Sequence, residues 1–288
     1  MQSISIVIPA KNEETGLMQI LPELRKYLPD SEVLVVNDGS TDKTAEIAAE
    51  LGARVISHPF SMGNGAAIKT GARNASGKLI CFMDADGQHR PEDIPALMES
   101  LEKGFDMVVG ARAKSGQSGA LRGLGNRFYN WFSSLIVGYQ IEDLTSGFRL
   151  VKAAKFREFL SLLPNKFSYP TTVTMAFFRA GYSVGYVPII APARLGESHL
   201  NVWRDGIRFL LIIFKIGTLY SPLKIFLPVA FVQFLLGLGY YLFTFVTDGR
   251  FNNMSALMFT SAVTVFLIGL VSEQITSLAF KGTGNIGD

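Results

Sequence analysis

The sequence predicts an α/β fold with a mainly parallel sheet, helices on both of its faces, and a C-terminal pair of transmembrane helices. Three observations carry this. Short runs rich in isoleucine and valine alternate with amphipathic segments up to residue 109. Acids and amides recur where those runs end, and two long uncharged apolar stretches follow residue 224. At 288 residues the chain has room for one sizeable domain and something smaller.

Ser3–Pro9 (SISIVIP) reads as a strand, because β-branched residues fit a pleated, buried surface. A polar turn and an amphipathic segment, Glu13–Leu28, follow as a helix. The pattern repeats in Glu32–Asn37 with Thr41–Leu51, Arg54–Ser57 with Gly65–Asn74, and Leu79–Met83 with Ile94–Lys103. Met107–Val109 begins a further strand. Such alternation makes a parallel sheet whose ligands bind outside the carboxyl ends of the strands.

Neither Ile225–Val246 nor Met254–Ser272 contains a charged residue, and each is close to the ~20 residues that cross a bilayer. Two spans are expected, about 225–246 and 254–280. Arg204, Arg208, Lys215 and Lys224 precede the first and Lys281 follows the second, whereas the connecting TDGRFNN holds one basic residue. By the positive-inside rule both ends, and the large N-terminal domain, are cytoplasmic. Ser3–Ala10 is too short for the apolar region of a secretory leader and has no basic segment before it. The expected organisation is a catalytic domain over 1–200, an interface segment over 201–222 and the hairpin over 223–288. On a helix, Arg204, Arg208 and Lys215 fall within about 40° of one another, which suits a basic face toward lipid headgroups. Glu273, near the end of the second span, is suited to snorkelling or to a hydrogen bond with Gln233.

The single cysteine, Cys81, sits inside an expected strand and excludes an internal disulfide. A net charge of +3, with no interleaving of aromatic and basic residues, argues against nucleic acid as a partner. Gly63-Asn64-Gly65 lacks the third glycine of a dinucleotide fingerprint, and no ATPase-type phosphate loop is present. Those glycines suit a tight turn or the close approach of a ligand.

The carboxyl ends of the strands carry Lys11-Asn12-Glu13, Asn37-Asp38-Gly39-Ser40 and Asp84-Ala85-Asp86-Gly87-Gln88, which collects acids on one edge. Two carboxylates leaving a buried strand repel each other unless a cation lies between them. On an extended chain Asp84, Asp86 and Gln88 project to one side, and three oxygen donors suit Mg²⁺ or Mn²⁺ better than zinc. The plainer reading is that these acids cap the next helix near Pro91-Glu92-Asp93, and that Ser40 or Thr41 caps the helix behind it.

The ordered set PAKNE (9–13), VNDGSTD (36–42), GNGAA (63–67), DADGQH (84–89) and SGFR (146–149) resembles the dolichol-phosphate mannosyltransferase-like, or polyprenyl-phosphate, glycosyltransferases. These are inverting enzymes of glycosyltransferase family 2 with a GT-A fold, and the resemblance covers roughly residues 3–200. It implies that Pro9, Ala10, Glu13 and Asp38 hold the nucleoside and that Asp84, Asp86 and Gln88 bind a metal on the diphosphate. The implied donor is a nucleotide-diphosphate sugar: GDP-mannose, UDP-glucose or UDP-N-acetylhexosamine. The implied acceptor is a polyprenyl or dolichyl phosphate. Arg112, Arg122, Ser146, Arg149, Arg194, Ser198 and His199 are then candidates for its phosphate, since arginine forks match phosphate oxygens and no run of acids accompanies these arginines. Asp86, Arg149 and Arg194 are the candidates nearest the chemistry. RLGESH (194–199) departs from the family's R-x-G-E-S-K, with His199 in the lysine position.

A phosphate monoester is already anionic near neutral pH, so attack on the anomeric carbon needs little from a general base. Positioning and charge neutralisation remain as the enzyme's tasks. A polysaccharide-type synthase of the same fold is the enzymatic alternative, although Q-x-x-R-W and further spans are absent; a non-catalytic membrane scaffold is the other. A homo-oligomer is compatible with the sequence.

Overall fold

The computed structural model describes residues 3–112, 120–166, 169–190, 214, 217–218 and 220–281. Two compact units are present, Met1–Ser134 with Tyr139–Asn201, and Leu135–Gly138 with Val202–Asp288.

In the first unit, β1 (Ile4–Ala10), α1 (Glu14–Tyr27), β2 (Glu32–Asn37), α2 (Thr44–Glu50), β3 (Arg54–Ser57), α3 (Asn64–Asn74) and β4 (Leu79–Phe82) alternate as the periodicity predicts. They are followed by α4 (Ile94–Glu102), β5 (Met107–Arg112), α5 (Ala120–Val137), β6 (Arg149–Lys152), α6 (Ala153–Arg157), α7 (Tyr169–Arg179) and β7 (Val184–Ile189). One sheet holds all seven strands in the order β3-β2-β1-β4-β6-β5-β7. Among the described residues only β6 runs antiparallel, to both β4 and β5.

Burial along β1, β2 and β4 is nearly continuous rather than alternating. That is the mark of strands covered on both faces. α1 supplies part of the cover through Leu17, Ile20, Leu21 and Leu24, which recur at helical spacing and are all buried. The helices on both faces leave the loops after β1, β2 and β4 to form one polar edge. The main chain stitches that edge together: Asp38 N–H donates to Ala10 O at 2.8 Å, and His58 N–H to Asn37 O at 2.9 Å.

In the second unit, α8 (Pro222–Asp248) and α9 (Asn253–Lys281) form a hairpin, both long and apolar enough to cross a membrane. Proline at the first turn of α8 gives up no needed hydrogen bond, and Gly249, at φ 60°, ends the helix in the left-handed region. Gly269 of α9 lies against Phe226, whose Cβ is 2.6 Å from where a side chain would begin, so the two helices approach closely there. The expected Gln233–Glu273 pairing is corrected. Gln233 donates to Ser261 Oγ at 2.6 Å, and Glu273 accepts the Leu223 N–H at 3.3 Å in the first turn of α8. A carboxylate there answers an otherwise unmatched donor. Most of the expected interface segment, with Arg204, Arg208 and Lys215, lies outside the described residues.

Candidate active site

The turn after β1 is locked to the turn after β2. Asn12 sits at φ 56°, a left-handed conformation that asparagine tolerates better than most residues. Its side-chain oxygen accepts the Thr41 N–H at 2.9 Å, and its own N–H donates to Ser40 Oγ at 3.0 Å. Ser40 and Thr41 therefore brace the neighbouring turn instead of capping α2, and Asp42 accepts from Thr44 at that helix's start. Glu13, half-buried, donates its N–H to Thr44 Oγ1 at 2.9 Å. Pro9 and Ala10 end β1 beside this turn.

Asp38 is 4% exposed, and both of its oxygens are engaged inside the domain. Oδ1 accepts the Met62 N–H at 2.8 Å and lies 2.8 Å from His58 Nδ1. Oδ2 accepts from Ser61 Oγ and the Gly63 N–H, each at 2.9 Å. Burial pushes the Asp38 carboxyl up, but these hydrogen bonds outweigh it and hold its pKa below the usual carboxylate value. With about four lone-pair positions on a carboxylate, the acceptor capacity of Asp38 is engaged in shaping the 58–63 loop. Gly39, at φ 68°, lies beneath that loop, where a Cβ would stand 2.7 Å from the Phe60 and Ser61 backbone. Gly63 and Gly65 also serve a close approach, but to the segment before α7 rather than to a ligand: Ala66 N–H donates to Asn165 O at 2.8 Å.

The third turn differs. β4 stops at Phe82, and residues 84–88 form a turn in which Gly87 has φ 76° and Asp86 Oδ1 accepts the Gln88 N–H at 3.1 Å. The extended geometry that put Asp84, Asp86 and Gln88 on one side is thus absent, because the strand ends before its alternation reaches them. Two close approaches position the turn. Ala85 O packs against Gly16 of α1, where any Cβ would overlap it, and Asp84 Oδ2 faces Gly147, where a Cβ would stand 2.9 Å away. The Asp84 side chain remains 38% exposed. His89, buried and stacked on Phe148 with centroids 5.0 Å apart, accepts the Asp84 N–H at Nδ1 (2.8 Å). Its proton is therefore on Nε2. Burial, the largest influence, lowers its pKa to about 4, so a neutral ring fastens the turn to the SGFR loop.

Among the described residues no cluster of three or more His, Cys, Asp or Glu side chains is arranged for a metal. Asp84 and Asp86 still fit Mg²⁺ or Mn²⁺ as carboxylates at a turn kept open by a glycine, since Mg²⁺ is held through one or two carboxylates with substrate phosphates and water completing the shell.

Two of the candidate arginines have partners within the domain. Arg112 is compensated by Asp143 in a two-pronged pair, Nε–Oδ2 2.8 Å and Nη2–Oδ1 3.0 Å, and donates to Thr145 Oγ1 at 2.6 Å. Thirty-one residues of sequence separate the partners, which hid the pairing. Arg149 is fully buried, with Nη1 donating to Pro170 O (3.0 Å) and Thr174 Oγ1 (3.1 Å) and Nη2 to Ser146 O. It joins β6 to α7 inside the domain. Ser146 is buried beside it, its Oγ without a hydrogen-bond partner among the described residues. Arg122 lies on α5, its side chain outside the described residues, as are Arg194, Ser198 and His199. His58, Gly16 and Asp143 were not singled out from sequence; His58, at the carboxyl end of β3, was within reach of the rule that ligand sites lie at strand ends.

Residues 5–160 match the family model of glycosyl transferase family 2, and residues 221–278 match that of the GtrB C-terminal hairpin. The undecaprenyl-phosphate mannosyltransferase of Micrococcus luteus is 30% identical over 68% of this chain and 86% of its own length. Glycosyltransferase AglJ of Haloferax volcanii is 26% identical over 96% of this chain and 94% of its own. Among solved structures, glucosyl-3-phosphoglycerate synthase from Mycobacterium tuberculosis, in complex with Mn²⁺, UDP and glucosyl-3-phosphoglycerate, shares the fold with a TM-score of 0.59. It is 22% identical, covering 74% of this chain and 80% of that one.

Proposed function

The chain belongs to glycosyl transferase family 2, and from that premise we propose that it moves one sugar from a nucleotide-diphosphate donor to a polyprenyl or dolichyl phosphate. The observation that carries the reading is the union, in one chain, of a family 2 fold with an apolar two-helix hairpin. A soluble acceptor needs no such anchor. Lys224 in the first turn of α8 and Lys281 at the end of α9 mark the open end of the hairpin, which supports a cytoplasmic catalytic domain.

The donor sits at the carboxyl edge of the sheet, with the nucleoside toward the turns after β1 and β2 and the diphosphate toward Asp84–Gln88. Asp84, Asp86 and Gln88 would hold Mg²⁺ or Mn²⁺. When bound, that ion neutralises the diphosphate as its charge grows on departure. The protein's own contribution is placement. Glu13 and the loop shaped by Asp38 orient the nucleoside, and His89 fixes the carboxylate turn against Phe148. An acceptor phosphate oxygen forms the new bond to the anomeric carbon as the bond to the nucleoside diphosphate breaks, which inverts that carbon. Arg122, Arg194, Ser198 and His199 are the residues assigned to the acceptor phosphate.

The test is to incubate the purified full chain in detergent or vesicles with a panel of UDP- and GDP-sugars, Mg²⁺ or Mn²⁺, and a polyprenyl phosphate. One donor should yield a metal-dependent sugar-phospholipid. Transfer to a soluble acceptor with no lipid product would defeat the lipid reading.

A further inference from the structure

His58 lies between Asp38 and α3 and is almost enclosed, its side chain 8% exposed. Its ring makes two contacts: Nδ1 with Asp38 Oδ1 at 2.8 Å, and Nε2 with Thr70 Oγ1 at 2.9 Å. An ionised carboxylate only accepts, so Nδ1 carries the proton. In the neutral ring Nε2 then accepts from the Thr70 hydroxyl, and a directed chain runs from α3 through His58 to Asp38. Asp38 in turn holds Ser61, Met62 and Gly63, and Lys11 from the β1 turn donates to Ser61 Oγ at 3.0 Å. The loop so fixed presents Phe60, 65% exposed, and Met62, 38% exposed, beside the edge assigned to the nucleoside.

We propose that His58 is a positioning residue for the donor nucleotide, acting through Asp38 to set the 60–63 loop against the nucleoside. This rests on the donor reading above. The imidazole touches no reacting atom. It supplies the one side-chain N–H among the four donors on Asp38, and without it Oδ1 loses a partner at the root of the loop. The other contact, to Thr70, anchors the ring on α3 and keeps it from rotating away.

Two near-isosteric variants separate this role from mere support of α3. An asparagine amide reproduces the position of Nδ1–H and keeps the bond to Asp38; a glutamine amide reproduces the position of Nε2 and keeps the bond to Thr70. His58→Asn should leave the donor KM within about twofold, whereas His58→Gln and His58→Ala should raise it roughly tenfold, the worth of one charge-assisted hydrogen bond. The acceptor KM and kcat should stay within about threefold in all three, with thermal melts showing folded protein. If His58→Gln preserves the donor KM while His58→Asn loses it, or if donor and acceptor KM rise together, the role is structural and the proposal falls. If the wild-type chain transfers no sugar to lipid, the same ordering is read in the Kd of UDP or GDP with Mg²⁺ by calorimetry. Failure of the lipid reading is thereby distinguished from failure of this one, and equal affinities across the variants, or no binding of either nucleotide to wild type, overturn it.

Discussion

Asp38 and Asp84 each follow a parallel strand at the same sheet edge, yet the Asp38 side chain is 6% exposed and carries four donors, whereas the Asp84 side chain is 38% exposed and faces a glycine. The β2 end is thus built in advance: its charge is consumed in shaping backbone, and under the proposed function that shape is what a nucleoside would meet. The β4 end keeps part of its carboxylate surface exposed and is positioned by packing around it, with Ala85 against Gly16 and His89 against Phe148. Two aspartates at one sheet edge therefore stand in different surroundings, and the proposed function gives one a role through fold and the other a role through charge. Substitutions should separate them.

The largest effect falls on the open end. Asp86→Asn removes a carboxylate from the turn that would hold the cation and should lower the transfer rate by about two to three orders of magnitude at saturating Mg²⁺ or Mn²⁺. The melting temperature should change little. Near-normal turnover would show that the turn holds no metal and would erase the functional half of the contrast.

The second effect inverts the first. Asp38→Asn replaces one acceptor oxygen by a donating NH₂, which faces the N–H of either Met62 or Gly63, and should cost about 2–4 kcal/mol of stability. Asp84→Asn, on a side chain more than a third exposed, should stay within about 0.5 kcal/mol. Denaturant unfolding of the pair measures both; equal losses would mean that the two turns are built alike.

How much of this was legible follows the same division. Up to β5, strands and helices announce themselves because each buries a regular apolar pattern, and the gathering of Glu13, Asp38 and Asp84 on one edge follows from strand order alone. Beyond β5 the signals fade. β6 is four residues long and begins with a buried arginine, and α7 (YPTTVTMAFFR) is rich in β-branched residues whose burial, not propensity, makes a helix. The partners of two candidate arginines were hidden for a related reason. Arg112 meets Asp143 and Arg149 meets Pro170 only once the chain has folded, so local sequence showed each without its partner. Asp38 was found but its partners were not, since three of its four donors come from the 61–63 loop and the fourth from His58.

The smallest effect is on the pH dependence of that loop. Asp38 titrates below its ordinary value because its four donors favour the charged form over the pull of burial. A carboxyl with a depressed native pKa contributes stability that is fully present above its unfolded value of about 3.9 and is lost as pH falls through the lower native value. Protonation turns one oxygen into a donor facing donors, and the loop should open before the sheet does. Hydrogen exchange followed at the Met62 and Gly63 amides should therefore show protection that is flat from pH 7 to about 4.5 and weakens below about 4, while β1 amides hold. If those two amides exchange freely at neutral pH, the Asp38 turn is no more prebuilt than the Asp84 turn; if they stay protected as far into acid as β1 does, the carboxylate is not what holds the loop.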